Sequence, residues 1–287
     1  MLPRDVAVQF AHAAIQAIAD EAGIAVLHIK GPVVDATLRA VRLSEPVEEG
    51  ASALQARVSV DADVLVSPDQ AGPLLEAMKR HGWQLAWDFD EGSLFAHAAT
   101  LTHPHLAHVD VHRWFPGIEC DPETAFAILA SGARRIPIAG FPCLVPSDDA
   151  HRLVLLLHAA RSPGGGGRAD VAELWTRATG EEQTSVRRLA DRLDATVALA
   201  AAIGELESVR HRRSYRLWRT LQRRDHTHRE VLMGHIVAAR PREIPALLSR
   251  FLLLNKRRME RQRGGAVGLR ESLAGYRTWV SRRIRSR

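Results

Sequence analysis

The run Arg57-Val-Ser-Val-Asp61-Ala-Asp63-Val-Leu-Val66 constrains this chain more than any other feature. In a β-strand successive side chains alternate faces, so Asp61 and Asp63 point the same way, about 6.6 Å apart along the strand. Val60, Ala62, Val64 and Val66 point the other way, into a core. An apolar strand holds two neighbouring carboxylates badly unless cations neutralise them, and hard oxygen ligands of this kind suit Mg²⁺ or Mn²⁺. The plainer alternative is an edge strand with two solvent-facing aspartates, since Asp is depleted in strands without being absent from them. A third acid, Asp110, lies in a second strand pattern, His108-Val-Asp110-Val-His112.

Ahead of the aspartates, an apolar strand at 25–29 ends in Lys30-Gly31 and passes through Pro32 into a helical pattern over 32–41. Proline suits the first helical position, and a glycine before it lets an anion approach the backbone. The free N–H groups and dipole of the helix start attract phosphate, and Lys30 adds a full charge there. A Lys-Gly turn alone also arises by chance between any strand and helix.

Lys30-Gly31, then Asp61-x-Asp63 followed by Val-Leu-Val, then Val109-Asp110-Val-His112-Arg-Trp114 together resemble the polymerase-beta-like nucleotidyltransferase superfamily. More narrowly they resemble its bacterial family of uncharacterised nucleotidyltransferases, which has a Lys-Gly turn, an Arg-x-x-Asp-Ile-Asp-Leu-Leu-Val strand and a later Val-Asp-Leu-His-Trp. The likeness is close from Ile24 to Trp114. It continues loosely through the Leu-rich segment ending in His158 and through Asp170-Val-Ala-Glu-Leu174. This chain departs from the pattern in three places: a polar stretch at 42–51, Arg57 four residues before Asp61 rather than three, and a small Ala62 between the aspartates.

The resemblance implies an α+β fold, a nucleotidyltransferase core of mixed sheet flanked by helices over residues 1–146. A helical, Arg-rich domain follows over 147–287. It also implies a metal-dependent enzyme that transfers an NMP from an NTP such as ATP to a hydroxyl acceptor and releases pyrophosphate. Asp61, Asp63 and Asp110 would be the catalytic acids holding two Mg²⁺ or Mn²⁺ ions, with Lys30, Gly31, Arg57 and His112 on the nucleotide. His112 shares the Asp110 face by period-two alternation, as does His108. His158 and Asp170 would form a supporting pair behind the site. The acceptor is a peptide natural product, protein, sugar or RNA, with a peptide or small molecule favoured. The competing reading is an inactive module of the same fold that binds partners through its basic C-terminal third, but an idle site has no physical reason to keep three converging acids.

The element pattern fits that architecture. Helical periodicity runs over 4–22, strand patterns over 25–29 and 58–66, and a helix over 70–81. Strands are expected at 83–88, 93–100 and 107–114, turning at 90–92 and 103–104, with a helix at 122–130. A hairpin over 135–145 turns at Ala139-Gly140. From Asp148 onward only helical patterns appear, interrupted by the glycine run at 162–167, which no Gly-Lys-Ser/Thr follows and which therefore is no phosphate loop.

Charge is unevenly spread. Residues 205–287 hold 22 Lys+Arg and 7 Asp+Glu, against 17 and 26 in residues 1–204, so the net of +6 hides a basic C-terminal third. Such a surface attracts polyanions such as RNA or an acidic peptide, yet arginine-rich solvated helix faces are common and aromatic stacking platforms are sparse here. Cys120 and Cys143 show no metal or disulfide spacing. With no signal-peptide pattern at the start and no apolar run long enough to span a bilayer, the expected place is the cytoplasm, with no membrane partner.

Overall fold

The computed structural model describes residues 2–31, 60–92, 95–161, 165–223, 225–239 and isolated positions from 241 to 268. The helix expected at 32–41, the polar stretch at 42–51, Arg57 and, Glu260 apart, the basic clusters at 255–263 and 281–287 lie outside the described residues.

Five strands form one mixed sheet: β1 (Val26–Lys30), β2 (Asp61–Val66), β3 (Gln84–Trp87), β4 (Ala98–Thr102) and β5 (His108–His112). Their spatial order is β1-β2-β5-β4-β3. The β2–β5 pair is parallel and the other three pairs are antiparallel. A parallel pair needs a crossover. Here α2 (Pro68–Arg80) carries the chain away from β2, and the β3–β4 hairpin delivers β5 back beside it.

Period-two alternation sorts the sheet into two faces. Ala62, Val64, Val66, Val109 and Val111 are buried against α1 (Arg4–Ala22) and α2, whose Val8, Ala11, Ile15, Leu74 and Met78 recur at helical spacing. The opposite face sends Leu27, Ile29 and Leu65 into a second core with Phe115 and the helices that follow. Those helices are α4 (Pro122–Ala130), α5 (Asp148–Arg161), α6 (Gly165–Val171), α7 (Gly180–Arg192), α8 (Thr196–Ala202), α9 (Tyr215–Leu221) and α10 (His228–Ala238). Helix α5 runs through the middle, with Leu153 to Leu157 buried on every side, as an all-round apolar helix must be. Starts are fixed by side chains: Asp121 accepts from Thr124 N–H, and capping boxes join Thr179 to Glu182 and Thr227 to Glu230. The hairpin of β6 (Arg134–Ile138) and β7 (Phe141–Val145) turns at Ala139 and Gly140, both at positive φ, the geometry that matches the right-handed twist of a two-residue hairpin.

Three expectations change. The strand placed at 93–100 begins only at Ala98, and the turn at 90–92 is instead the last part of a short helix, α3 (Phe89–Gly92). Hydrogen bonds account for both, local ones for the helix: Asp88 caps the N–H of Phe89, and Glu91 reaches back to the N–H of Asp88. The carbonyls of Phe95 and Ala96 are taken by Trp114 and Arg113 side chains, not by a neighbouring strand. Helix α2 also starts earlier than expected because Pro68 suits its first turn. No described helix is long and apolar enough to cross a membrane.

Candidate active site

The parallel register sets Asp63 beside Asp110 and Asp61 beside His108, so the acids of two strands far apart in sequence share one sheet face. On the other side of Asp63, the β1–β2 register slips between His28 and Lys30. One extra residue in a strand turns the next side chain to the opposite face. Lys30 is thereby set against Asp63, its Nζ 2.7 Å from Oδ1, with the two side chains only 12% and 5% exposed. His112 Nε2 donates to that same oxygen at 2.8 Å. Thr100 Oγ1, from β4, donates to Asp110 Oδ1 at 2.6 Å.

These neighbours set the charges. Burial alone would raise the Asp63 carboxyl, but the Lys30 ammonium and the His112 hydrogen bond hold it far below the usual carboxylate range. Asp61 moves the other way: burial pushes it up, the Asp63 charge pushes it further and Asp110 adds to this, with Lys30 opposing. Burial keeps His112 neutral in spite of Asp63. A neutral imidazole that donates through Nε2 carries a bare lone pair on Nδ1, and that atom is buried without a partner.

Asp63, Asp110 and His112 each offer a ligand atom, all within 4.8 Å of one another, the one such group among the described residues. Two carboxylates and one imidazole nitrogen at that spacing fit a divalent cation, the carboxylates favouring Mg²⁺ or Mn²⁺. Asp61, half-buried at the start of β2, lies outside this tight group.

Three side chains that the sequence did not single out join this cluster. Besides Thr100, these are His97 and Arg161. The His97 ring lies 5.2 Å from that of His112, and its Nε2 accepts from Arg161 Nη1 at 3.1 Å. Burial first, then the neighbouring His112 and Arg161, press His97 down to about 2, so it is a neutral acceptor. Arg161 ends α5, over the rings of Phe95 and Phe115 at 5.8 and 5.6 Å, and burial lowers it to about 10. The signal for Arg161 was its place three residues after His158 at the end of an apolar helix. His97 gave none.

The remaining candidates stand on several elements. Gly31, at φ 116, directly follows β1, while the helix it was expected to open lies beyond the described residues. His158 is half-buried on α5 and Asp170 buried on α6. His108 is exposed, and His103 packs on Trp83.

Among solved structures the chain is similar to the antibiotic-resistance factor ANT(2'')-Ia, at 16% identity and a TM-score of 0.37 over 71% of this chain and 95% of that one. It is also similar to an antigenic nucleotidyltransferase-like protein from Paracoccidioides brasiliensis, at 17% identity and a TM-score of 0.36 over 71% and 96%. No curated protein matches the chain. The model of the uncharacterised nucleotidyltransferase family matches residues 48–208, more than half of the 287-residue chain. That span contains Asp61, Asp63, Asp110 and His112, and by it this chain belongs to the family of uncharacterised nucleotidyltransferases.

Proposed function

We propose that the protein transfers an NMP from an NTP to a hydroxyl acceptor, with Mg²⁺ or Mn²⁺, and releases pyrophosphate. The observation that carries this reading is the side-by-side placement of Asp63 and Asp110 between Lys30 on one flank and His112 on the other. Asp63, Asp110 and His112 would hold a divalent cation, with Asp61 as a further carboxylate at the open end of the strand. Bound there, the cation supplies neutralisation of phosphate charge and acidification of the acceptor hydroxyl.

The chain's own residues do the rest. Lys30 leaves Asp63 for the β- and γ-phosphates as the nucleotide enters, and Gly31 gives those phosphates a close approach to the backbone. The acceptor oxygen forms a bond to the α-phosphorus while the bond from that phosphorus to the bridging oxygen breaks. Pyrophosphate leaves with the electron pair, and the hydroxyl proton passes to Asp110, oriented by Thr100. Before a cation binds, His112 fixes Asp63 by donating through Nε2.

The test is incubation of the full chain with each NTP, labelled in turn at the α- and γ-phosphate, with Mg²⁺ or Mn²⁺ and a panel of hydroxyl acceptors. Nucleotidyl transfer moves the α-label to the acceptor and the γ-label to pyrophosphate. Transfer of the γ-label to an acceptor would mean a kinase, and binding without turnover would mean an inactive module.

A further inference from the structure

Arg161 is a buried-edge cation with no described carboxylate at ion-pair distance; the Asp63 charge reaches it only from farther off. Its Nη1 donates to a neutral imidazole, His97, and its Nε is buried with no partner. Arg152, on the same helix, is paired with Glu182. Withdrawing a guanidinium from water without an anion is costly, and its planar fork matches a carboxylate or phosphate. His97 holds that fork in place but brings no negative charge.

Position decides which anion it meets. Lys30 stands on the β1 side of Asp63. Arg161 stands on the other side, reached through His112 of β5 and His97 just before β4. In-line displacement puts the attacking and leaving oxygens on opposite sides of the phosphorus. With Lys30 and Gly31 on the leaving phosphates, the flank of Arg161 faces the acceptor. Phe95 and Phe115 give that flank an apolar wall, and His235 from α10 closes on Phe95 at 4.6 Å.

We propose that Arg161, oriented by His97, forms an acceptor subsite that binds the carboxylate or phosphate of an anionic hydroxyl compound. The assignment rests on the nucleotidyl-transfer reading above, which gives Lys30 to the donor. An acceptor bearing an ammonium group would meet a like charge and is rejected.

A matched series tests this on the full chain with α-labelled NTPs: gluconate, glucose 6-phosphate, glucose and glucosamine. The expected result is labelling of gluconate or glucose 6-phosphate at least about tenfold above glucose and glucosamine, the two anions showing whether a carboxylate or a phosphate is preferred. Arg161→Gln should lower kcat/KM for the anionic acceptor roughly a hundredfold, mainly through KM, without moving the KM for NTP, and Arg161→Lys should recover part of it. Glucose or glucosamine labelled as well as the anions, or a preference unchanged in Arg161→Gln, overturns the proposal.

Calorimetry separates this from failure of the transfer reading. If no acceptor is labelled and no pyrophosphate appears, the reaction is wrong, and binding of gluconate and glucose 6-phosphate still judges the subsite. Binding lost in Arg161→Gln and kept in Lys30→Gln upholds it. No binding, or equal loss in both variants, overturns it.

Discussion

Lys30 Nζ and Asp63 Oδ1 stand 2.7 Å apart, and His112 Nε2 shares that oxygen, so one carboxylate carries the counter-charge for a buried ammonium and an imidazole donor. For Asp61, two residues earlier on the same face, the balance runs the other way: burial and the Asp63 and Asp110 charges disfavour its charge more than Lys30 favours it. The two aspartates of one motif therefore have opposite effects on the fold.

Asp63→Asn is expected to abolish transfer, lowering turnover by about 10³-fold or more, and to destabilise the fold by about 3 kcal/mol by stranding Lys30. Asp61→Asn should also abolish transfer but leave stability unchanged or higher, because it removes a repelled charge. Denaturant melts of both variants, alongside the α-label assay, check this; equal destabilisation by the two would contradict the asymmetry.

Mg²⁺ or Mn²⁺ at about a hundred times its Kd should raise the Tm of the wild type by roughly 5 °C. The shift should vanish in Asp110→Ala and shrink in His112→Ala. Scanning calorimetry with and without EDTA measures it, and a full shift in Asp110→Ala would remove that residue from the ligands.

On the far face of the sheet, His12 Nδ1 lies 2.7 Å from His28 Nδ1, and His28 continues to Gln16. Burial presses His12 down to about 4, with Asp63 opposing. The unfolded chain therefore takes up a proton near pH 6.5 that the folded chain refuses. Stability from this group is complete above about pH 6.5 and is lost as pH falls towards 4, by roughly 3 kcal/mol over the interval. His12→Gln should flatten the curve of Tm against pH there, whatever it does to stability at pH 8. An unchanged slope would assign the acid sensitivity to other groups.

Gly117 sits at φ 106, where an added Cβ would stand 2.8 Å from Ala198 Cβ and 3.3 Å from the Trp218 ring. Both the left-handed backbone and the crowding penalise a side chain at the junction between the sheet and the helical layer. Gly117→Ala should cost about 3 kcal/mol, read from the urea midpoint, and a cost below 1 kcal/mol would show that the junction yields.

Much of this architecture is local and was legible in the residue order. The 3.6-residue recurrence of apolar side chains set the bounds of α1, Pro122 and Asp121 set the start of α4, and Ala139-Gly140 set the hairpin turn. Alternation put Asp61 and Asp63 on one face, and the motifs around Lys30, Asp61, Asp63 and Asp110 pointed to the family that the chain proves to belong to. The β3–β4 connection was misread because side chains of Arg113 and Trp114, distant in sequence, take carbonyls that a strand would have used.

What the sequence alone determined is which residues lie on which face of each element, because that follows from the repeat of a single helix or strand. Only the tertiary structure decided which faces meet. A one-residue slip in β1 turned Lys30 onto Asp63, the parallel β2–β5 register set Asp63 against Asp110, and packing of α5 on the sheet brought Arg161 to His97, 64 positions away. No local periodicity encodes a register slip or a contact between distant segments. Such contacts are fixed by burial of the whole core, and they set the charges of this site.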